Sequence, residues 1–437
     1  MKPYYTKKFR CIALLVLGFA SRAFAQQELH VHHINVENGD ATMIGIYDVP
    51  SHKYLSKTLI DGGMSASGRY LLPYLKKIGN NGTDATHFNY VILTHYHSDH
   101  YIGLNALKTA AFSADSLVDP GGYDFHQYFP GQPRLAQAGE RPYPNMKIIQ
   151  QWTDLIVEAT SRQAIKGHSE VLVSYGTTAR TSLGHKLLLG KIGNLPVTLE
   201  CVAGWGNTLS GGGIVPNPMP ADSNANDFTL AFILQCGQFR YFIGGDLGGV
   251  TNSEYIDQET PLVPYFKKEF PLTHSFNGSV AASGHICGFK ANHHGSNNSN
   301  TANFIEGMTP AIVVTSAGNK TGWFLPQVGY LGKLSHVQPL SVWTQHQPGT
   351  YNSGVYFTNL QDWNSSHRSL STAKTLFQNK PDLDFNYGND VPGHKAGYLI
   401  RVKAAGLDSQ SAFEVDRVDI SQGQLYAKLA QYFCHRQ

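Results

Sequence analysis

The chain has 437 residues, of which 41% are apolar and 15% charged, a composition typical of a folded globular protein. The formal net charge is +3, but five basic and no acidic residues lie in the first 25 positions. The remaining chain therefore carries 29 basic and 31 acidic side chains. Because phosphate neutralisation supplies most of the affinity for long nucleic acids, this balance argues against extended nucleic acid as a partner.

The first 25 residues have the features of a secretory signal peptide. Lys7, Lys8 and Arg10 precede an apolar run at 11–20, and Ala23-Phe24-Ala25 forms an Ala-x-Ala cleavage site. The apolar run is too short for stable membrane insertion, and no second run of spanning length follows. We expect a signal peptide at 1–25, a periplasmic or secreted mature protein, and no stable membrane insertion.

Hydrophobic periodicity predicts alternating strands and helices through the mature chain. In the first half we expect two strands within 29–48, a strand at 57–61, a helix at 69–78, a strand at 88–94, a helix at 101–110 and a strand at 115–118. In the second half we expect strands near 197–203, 228–236, 239–244, 286–291, 311–316, 397–404 and 412–418. Two long segments, near 119–195 and 320–392, are expected to be insertions. They suit either binding loops or decoration packed on the sheets.

Three histidines and a carboxylate follow the predicted strand at 88–94, in the sequence His95-Tyr96-His97-Ser98-Asp99-His100. In an extended backbone His95, His97 and Asp99 point to one side, and His100 turns inward as the next helix begins. Imidazole and carboxylate are the usual ligands of zinc and similar divalent metals. The pattern indicates a metal site; the alternative is a His-rich surface loop.

Two later segments contain further candidate ligands. A strand ends in Gly244-Gly245-Asp246, where the Asp246 carboxylate can place one oxygen on each of two metals, although Gly-Gly-Asp alone is an ordinary turn. The second segment runs from Lys290 to the pair His293-His294. Adjacent side chains on an extended backbone point opposite ways, so we expect one histidine, in our interpretation His293, to bind metal. The other would support the ligands from behind or face the substrate.

These motifs, in this order, resemble the metallo-β-lactamase superfamily. More narrowly, they are similar to the branch that contains the hydrolase domain of competence (DNA-uptake) proteins and the phosphorylcholine esterases. Further matching segments are Gly39-Asp40-Ala41, Leu59-Ile60-Asp61-Gly62-Gly63, 224–230 and Lys290-Ala291-Asn292-His293-His294-Gly295-Ser296. The resemblance implies an α/β fold, a four-layer αββα sandwich over 26–437, with metals at one edge between the sheets.

The resemblance also implies a two-ion centre, most simply two zinc ions. One ion would be held by His95, His97, Asp246 and either Asn226 or Asp227. The other would be held by Asp99, His100, Asp246 and His293 or His294. Many superfamily members place a third histidine where this chain has Asn226 and Asp227, and the branch's downstream His-Pro is Leu325-Pro326 here. The histidines between the main motif and Asp246 are interpreted as loop or surface residues: His126, His168 and His185.

The expected chemistry is attack by a hydroxide that the two ions activate. Asp99 would ligate and orient it, and Lys290 or the second histidine would offset charge on the substrate. His32, Asp40 and Asp61 are candidates to hold the ligating imidazoles from behind.

Three functions remain open at this point. Hydrolysis of phosphodiester or phosphoester bonds in a small-molecule or phosphoester substrate fits the narrower resemblance best. Hydrolysis of lactams, lactones or other acyl substrates uses the same metal core. The third is a non-catalytic metal-binding module. Four cysteines follow the cleavage site, and disulfides or buried free thiols are both compatible with their positions: Cys201, Cys236, Cys287 and Cys434.

Overall fold

A computed structural model gives the fold of most of the mature chain. The residues it describes are 27–65, 68–79, 86–110, 112–120, 169–171, 183–204, 206–216, 225–252, 255–276, 279–318, 322–336, 353–378, 380, 383–390, 395–407, 412–420 and 424–433. The predicted signal peptide at 1–25, most of the segment 119–195, His126, His168 and Cys434 lie outside these residues.

Nine strands form the first sheet. They are β1 (Gln27–His33), β2 (Thr42–Asp48), β3 (Lys53–Ile60), β4 (His87–Ile92), β5 (Ser113–Asp119), β6 (Ser169–Val171), β19 (Ala396–Lys403), β20 (Ala412–Asp419) and β21 (Gln424–Phe433). Their order is β21-β20-β19-β1-β2-β3-β4-β5-β6. The strands from β3 to β6 pair in parallel, and the others pair antiparallel.

Ten strands form the second sheet. They are β7 (Lys186–Ile192), β8 (Leu195–Gly204), β9 (Asn207–Ser210), β10 (Gly213–Val215), β11 (Ala231–Cys236), β12 (Phe239–Ile243), β15 (Gly288–Lys290), β16 (Ile312–Thr315), β17 (Ser353–Phe357) and β18 (Leu383–Tyr387). The order is β10-β9-β8-β11-β12-β15-β16-β17-β18, and β7 pairs with β8. From β12 to β18 the strands are parallel. A separate hairpin joins β13 (Pro271–Phe276) to β14 (Ser279–Gly284).

Helices cover the outer face of each sheet. They are α1 (Leu71–Ile78), α2 (Ser98–Thr109), α3 (Leu262–Glu269), α4 (Ala302–Met308), α5 (Val328–His336) and α6 (Ser369–Phe377). Leu71 and Leu104 from α1 and α2 pack on the first sheet with Phe88. Residues of α3 to α6 pack on the second sheet in another cluster. A third apolar cluster, which includes Ile44 and Phe232, lies between the sheets. The four layers form the αββα sandwich that the sequence predicts.

Several elements differ from the sequence-based expectation. The helix expected at 101–110 begins at Ser98, so Asp99 and His100 lie in its first turn and not on extended backbone. Within the segment expected to be an insertion near 320–392, β17 and β18 extend the second sheet and α5 and α6 cover it. Strong tertiary packing overrides the Gly-, Pro- and Asn-rich composition that suggested loops there.

The described cysteines are of two kinds. Cys201 and Cys236 are buried free thiols in the apolar layer between the sheets. Cys287 takes part in a disulfide. Among the described residues, no helix is both long and apolar enough to cross a membrane.

Candidate metal centre

The candidate ligands lie in loops that follow parallel strands. The segment after β4 carries the His95-to-His100 motif, the segment after β12 carries Asp246, and the segment after β15 carries the His293-His294 pair. Because carboxyl ends of parallel strands meet at one edge of a sheet, and the two sheets face each other, these segments converge. Asp61 follows β3 at the same edge.

The first cluster consists of His95, His97 and Asp246, whose ligand atoms lie within 4.8 Å of one another. His95 Nε2 is 3.0 Å from His97 Nδ1 and 3.7 Å from Asp246 Oδ2. His95 is fully buried, whereas His97 is partly exposed to solvent. Asn226 adjoins this cluster, because its side chain interacts with His97 and its amide nitrogen lies 3.4 Å from His293 Nε2.

The second cluster consists of Asp40, His100, Asp246 and His294, again with ligand atoms within 4.8 Å of one another. His100 Nε2 is 3.2 Å from Asp246 Oδ1 and 3.3 Å from His294 Nε2. Asp99 lies beside it, with Oδ2 3.1 Å from His294 Nε2. All five side chains are buried.

Asp246 is shared between the clusters. Its Oδ2 faces His95 at 3.7 Å and His293 at 3.8 Å. Its Oδ1 faces His100 at 3.2 Å and His294 at 3.5 Å. One carboxylate therefore presents a different oxygen to each group of imidazoles, which is the geometry of a bridging ligand in a two-metal site.

The His293-His294 pair lies in a short 3₁₀ helix (Asn292–Gly295) and not on extended backbone. Both residues have left-handed backbone angles, with φ of 49° for His293 and 53° for His294. The expectation that the two rings point opposite ways assumed an extended backbone, and that assumption is wrong. His294 belongs to the second cluster, and His293 approaches Asp246 on the side of the first.

A buried carboxylate supports His100 from behind. Asp61 Oδ2 is 2.7 Å from His100 Nδ1, and Asp61 also accepts hydrogen bonds from the amide and the hydroxyl of Thr94, each at 2.8 Å. His294 has a comparable contact, since its Nδ1 is 2.9 Å from the carbonyl oxygen of Ser316. Such partners fix the tautomer and the orientation of an imidazole, so that Nε2 of each ring points into the second cluster.

Three sequence-predicted residues lie elsewhere than expected. Lys290 Nζ donates to Asp40 and to the carbonyl of Gly245, and the side chain is buried, so its charge is not presented to a substrate. Both ring nitrogens of His32 are hydrogen-bonded at 2.7 Å, to Tyr74 and Tyr54. Alternation along β1 turns His32 toward the helical layer, away from the clusters. Asp227 is in neither cluster, and its Oδ1 accepts from the amide of Ile256.

Asp40 groups with the second cluster, and it lies on the Nδ1 side of the His100 and His294 rings, behind their Nε2 atoms. Its Oδ1 is 3.7 Å from His294 Nδ1, and Lys290 pairs with its Oδ2. His185, interpreted as a surface residue, is exposed.

Sequence reasoning missed Glu259, a carboxylate that is completely buried behind the histidine pair. Its Oε1 accepts from the Asn292 side-chain amide at 2.8 Å and from the Asn300 backbone amide, and Oε2 accepts from the Thr301 amide at 2.8 Å. Glu259 therefore ties together both ends of the loop that carries His293 and His294. No local pattern signals this role, because the contacts span 33 to 42 residues.

The two clusters have opposite electrostatics. Burial lowers the pKa of His95 and of His97, so these imidazoles are neutral and ready to bind a cation. Burial also opposes charge on His100 and His294, but the Asp246 carboxylate outweighs it, with help from Asp61 and Asp40, respectively. The pKa of His100 is raised well above its usual value, and that of His294 rises to about 10. The same histidines hold the pKa of Asp246 well below its ordinary range despite its burial.

The donor atoms fit divalent metal ions. Ring nitrogens of His95 and His97 face each other at 3.0 Å, and those of His100 and His294 do so at 3.3 Å. Oδ1 of Asp40 and Oδ1 of Asp246 are buried and have no hydrogen-bond partner among the described residues. Imidazole nitrogens and carboxylate oxygens that converge in this way would be satisfied by a shared cation, which displaces the protons from His100 and His294, and a nitrogen and oxygen donor set suits zinc.

Residues 56–186, which include the His95-to-His100 motif, match the model of the family described as the metallo-beta-lactamase superfamily. Among curated proteins, none matches this chain in sequence.

Solved structures with a similar arrangement include three distant proteins. The metallo-beta-lactamase fold protein YhfI from Bacillus subtilis is 12% identical, with 83% of this chain and 96% of that chain covered and a TM-score of 0.33. Unliganded yeast PDE1 is 10% identical, with 83% and 97% covered and a TM-score of 0.42. Zn(2+)-bound PqqB from Methylobacterium extorquens is 11% identical, with 70% and 83% covered and a TM-score of 0.31.

The family match covers the His95-to-His100 motif, whereas Asp40, Asp246 and His294 lie outside it. The second half of the chain completes both the centre and the second sheet. The matched segment and the two-sheet αββα fold are similar to those of the metallo-β-lactamase superfamily, and the match covers residues 56–186 and not the rest of the chain.

Proposed function

We propose that this chain is an exported hydrolase that uses two divalent metal ions, most simply zinc, to cleave phosphodiester or phosphoester bonds. The observation that carries the proposal is the position of Asp246, whose two oxygens face two separate groups of imidazoles. A site for one ion does not need a carboxylate shared in this way.

The first ion would be held by His95, His97 and Asp246, with Asn226 and His293 adjacent. The second would be held by His100, His294 and Asp246, with Asp40 and Asp99 adjacent. When bound, a pair of such ions activates water and stabilises negative charge on the group under attack.

Asp99 has the properties of a residue that orients the attacking water. Burial opposes its ionisation, but His294 and His100 outweigh burial and hold the pKa of its carboxyl well below the usual range. Asp99 is therefore ionised at neutral pH, and its Oδ2 can accept a hydrogen bond from a water molecule at the edge of the second cluster and so orient it. Asp61 holds the ring of His100 in orientation, and the carbonyl of Ser316 does the same for His294.

The substrate class rests on two observations. The Lys-x-x-His-His-Gly-Ser segment at 290–296 resembles the phosphoester-cleaving branch of the superfamily. The chain after residue 25 has slightly more acidic than basic residues, which disfavours extended nucleic acid as the substrate.

A substrate panel tests the reaction class. The purified mature chain would be loaded with zinc or manganese and offered phosphodiester and phosphoester chromogens, DNA, a cephalosporin and a lactone. We expect turnover of the phosphorus esters only. Turnover of the lactone or cephalosporin alone would establish the acyl-hydrolase alternative, and metal binding without any turnover would establish a non-catalytic module.

Asp99→Ala tests the assignment of the site. We expect it to reduce hydrolysis by about 10²–10³-fold or more, because one group that positions and stabilises the reacting atoms is lost. His185→Ala is the control, because that side chain is exposed. Near-normal turnover of Asp99→Ala, or damage by His185→Ala, would contradict the assignment. The circular dichroism spectrum of both variants should match that of the wild type.

Export is supported by the sequence of the first 25 residues and by the disulfide at Cys287, since disulfides persist in oxidising compartments. We expect N-terminal sequencing of protein from the cell envelope or medium to begin at Gln26. Recovery of an intact Met1 there would refute cleavage.

A further inference from the structure

Four side chains form a charged rim at the edge of the first sheet where the candidate ligands converge: Glu37, Arg69, Tyr70 and Lys395. Lys395 directly precedes β19, and β19 runs antiparallel to β1, so it begins at the edge where β1 ends. Tyr70 directly precedes α1 and follows the loop that leaves β3 at the same edge. The topology of the sheet therefore places the rim on the same side of the molecule as the metal centre.

Backbone contacts connect the rim to the metal centre. Glu37 precedes Asn38, which lies in the wall of a narrow crevice beside Asp99. Consecutive Cα atoms are about 3.8 Å apart, so the backbone of Glu37 is one residue away from that wall. The amide of Met64 donates to the carbonyl of Asn38 at 3.0 Å and anchors the loop that leads to Arg69. A substituent on a substrate that reacts beside Asp99 can therefore reach the rim.

Both cations of the rim lie against one aromatic ring. The Nζ atom of Lys395 is 4.6 Å from the centroid of the Tyr70 ring, and the Cζ atom of Arg69 is 5.0 Å from it. Both distances are within the roughly 6 Å over which a cation is attracted to an aromatic face. Tyr70 thus holds two long side chains in place, which reduces the entropy that a ligand would lose in ordering them.

The charges of the rim are not balanced. Lys395 is paired with the carboxylate of Glu37. Arg69 is exposed, and it forms no ion pair with any residue that the structure describes. The rim therefore has an excess of positive charge, although the chain after residue 25 has more acidic than basic side chains. A guanidinium group can donate two parallel hydrogen bonds to a carboxylate or a phosphate, so Arg69 is suited to an anionic ligand.

We propose that Arg69 and Lys395 form a subsite for a second anionic group of the substrate, a carboxylate or a further phosphate, at a distance from the scissile bond. The proposal rests on the proposed function, because it places the scissile phosphoester at the two clusters. It narrows the substrate class from phosphoesters in general to phosphoesters that carry another negative charge. Glu37 would compete with that charge for Lys395.

Direct binding tests the subsite without turnover. The zinc-loaded mature protein would be titrated calorimetrically with two matched pairs of ligands, propylphosphonate with 3-phosphonopropionate and hexylphosphonate with 6-phosphonohexanoate. The members of each pair share one phosphonate and one chain length, and they differ in a terminal carboxylate. At low salt we expect the carboxylate to strengthen binding about two- to fivefold in at least one pair, the range for an exposed ion pair. High salt should reduce this advantage.

Variants of the rim locate the preference. Arg69→Gln should remove most of the advantage of the carboxylate. Glu37→Gln should increase it, because Lys395 loses the carboxylate that competes with the ligand. Lys76→Gln and Asp115→Asn are the matched controls, since each removes one exposed charge of the same sign outside the rim. Thermal unfolding would verify that each variant is folded.

Several results would overturn the subsite. They are equal binding within both pairs, an unchanged advantage in Arg69→Gln, an unchanged or smaller advantage in Glu37→Gln, and no binding of any phosphonate. An unchanged advantage in Arg69→Gln would show that the carboxylate binds elsewhere, for example at the metal ions. The substrate panel described above decides the proposed function separately. Hydrolysis of small phosphoesters together with any of these results would leave the function standing and remove the subsite.

Discussion

The two halves of the candidate metal centre are built from the same residue types but are supported differently. In the second cluster, His100 and His294 each have a fixed partner behind the ring, Asp61 and the Ser316 carbonyl. In the first cluster, the neighbour of His97 is the amide of Asn226, and His97 is partly exposed. In the second half the imidazoles are thus fixed in orientation and surrounded by carboxylates. In the first half the imidazoles are neutral and more open to solvent. We expect the second half to hold its ion more tightly.

The largest effect should come from removing the residue that both halves share. Asp246→Ala deletes one oxygen from each cluster, so we expect loss of both ions and a fall in hydrolysis of about 10³-fold or more. Metal analysis of the folded protein and kcat/KM on the best substrate would measure this. Asp115→Ala, which alters an exposed carboxylate, is the control. Two ions retained in Asp246→Ala would mean that the clusters do not depend on a shared ligand.

Substitutions in the histidine pair should test each cluster independently. His294→Ala should remove the ion of the second cluster, and His293→Ala should weaken the ion of the first, because these rings approach different oxygens of Asp246. Metal content should fall from about two ions toward one in each variant. Titration with a chromophoric chelator would show which affinity class is lost. Loss of the same class in both variants would contradict the division into halves.

A smaller effect should follow from Asp61→Asn. The amide cannot accept from Thr94 and His100 at both positions, so the ring of His100 loses its fixed tautomer. We expect metal affinity at the second cluster to fall by about 10–100-fold while the first cluster is unaffected. Asp115→Asn serves as the matched control. If both affinities fell together, Asp61 would act on folding and not on one ligand.

The smallest effect concerns Glu259 and pH. Burial raises the pKa of Glu259 to about 7, against 4.5 for an ordinary glutamate, despite hydrogen bonds that favour its charged form. Between these values the folded state binds more protons than the unfolded state, so the free energy of unfolding falls as pH rises from about 4.5 to about 7.

Glu259→Gln lacks this titration. Without metal, the free energy of unfolding of the wild type should fall by about 2–3 kcal/mol relative to that of Glu259→Gln as pH rises from about 4.5 to about 7. Urea unfolding at several pH values would measure the difference, with the exposed Glu306→Gln on α4 as the control. A pH-independent difference would show that Glu259 does not titrate in this range.

Much of the fold and of the metal chemistry could be predicted from the sequence, because both depend on local patterns. Buried strands such as β11 are largely runs of apolar residues, and the metal motif concentrates its ligands within six positions. The order of the motifs along the chain resembles that of the metallo-β-lactamase superfamily, and this resemblance implied the two-sheet fold. The parallel strands β17 and β18 were missed, since their segment has the composition of loops.

The details of the site depended on backbone conformations that no local pattern signals. Asp99 lies in the first turn of α2, where a carboxylate also interacts favourably with the helix dipole, and not on the extended chain that alternation assumed. The left-handed angles of His293 and His294 are uncommon for residues other than glycine. Glu259 acts only through contacts distant in sequence.

The left-handed turn places His293 and His294 next to each other in the chain, which restricts how the spacing of the two metal-binding halves can change. Consecutive Cα atoms are about 3.8 Å apart, which is close to the roughly 3.5–4 Å between the ions of two-metal sites. Because His293 and His294 are neighbours and each serves one half, the covalent chain limits the distance between the two halves. Insertion of a single residue between them would alter the spacing of the two halves while leaving every ligand type present. Metal-site diversity in this segment should thus arise by substitution and not by changes in loop length.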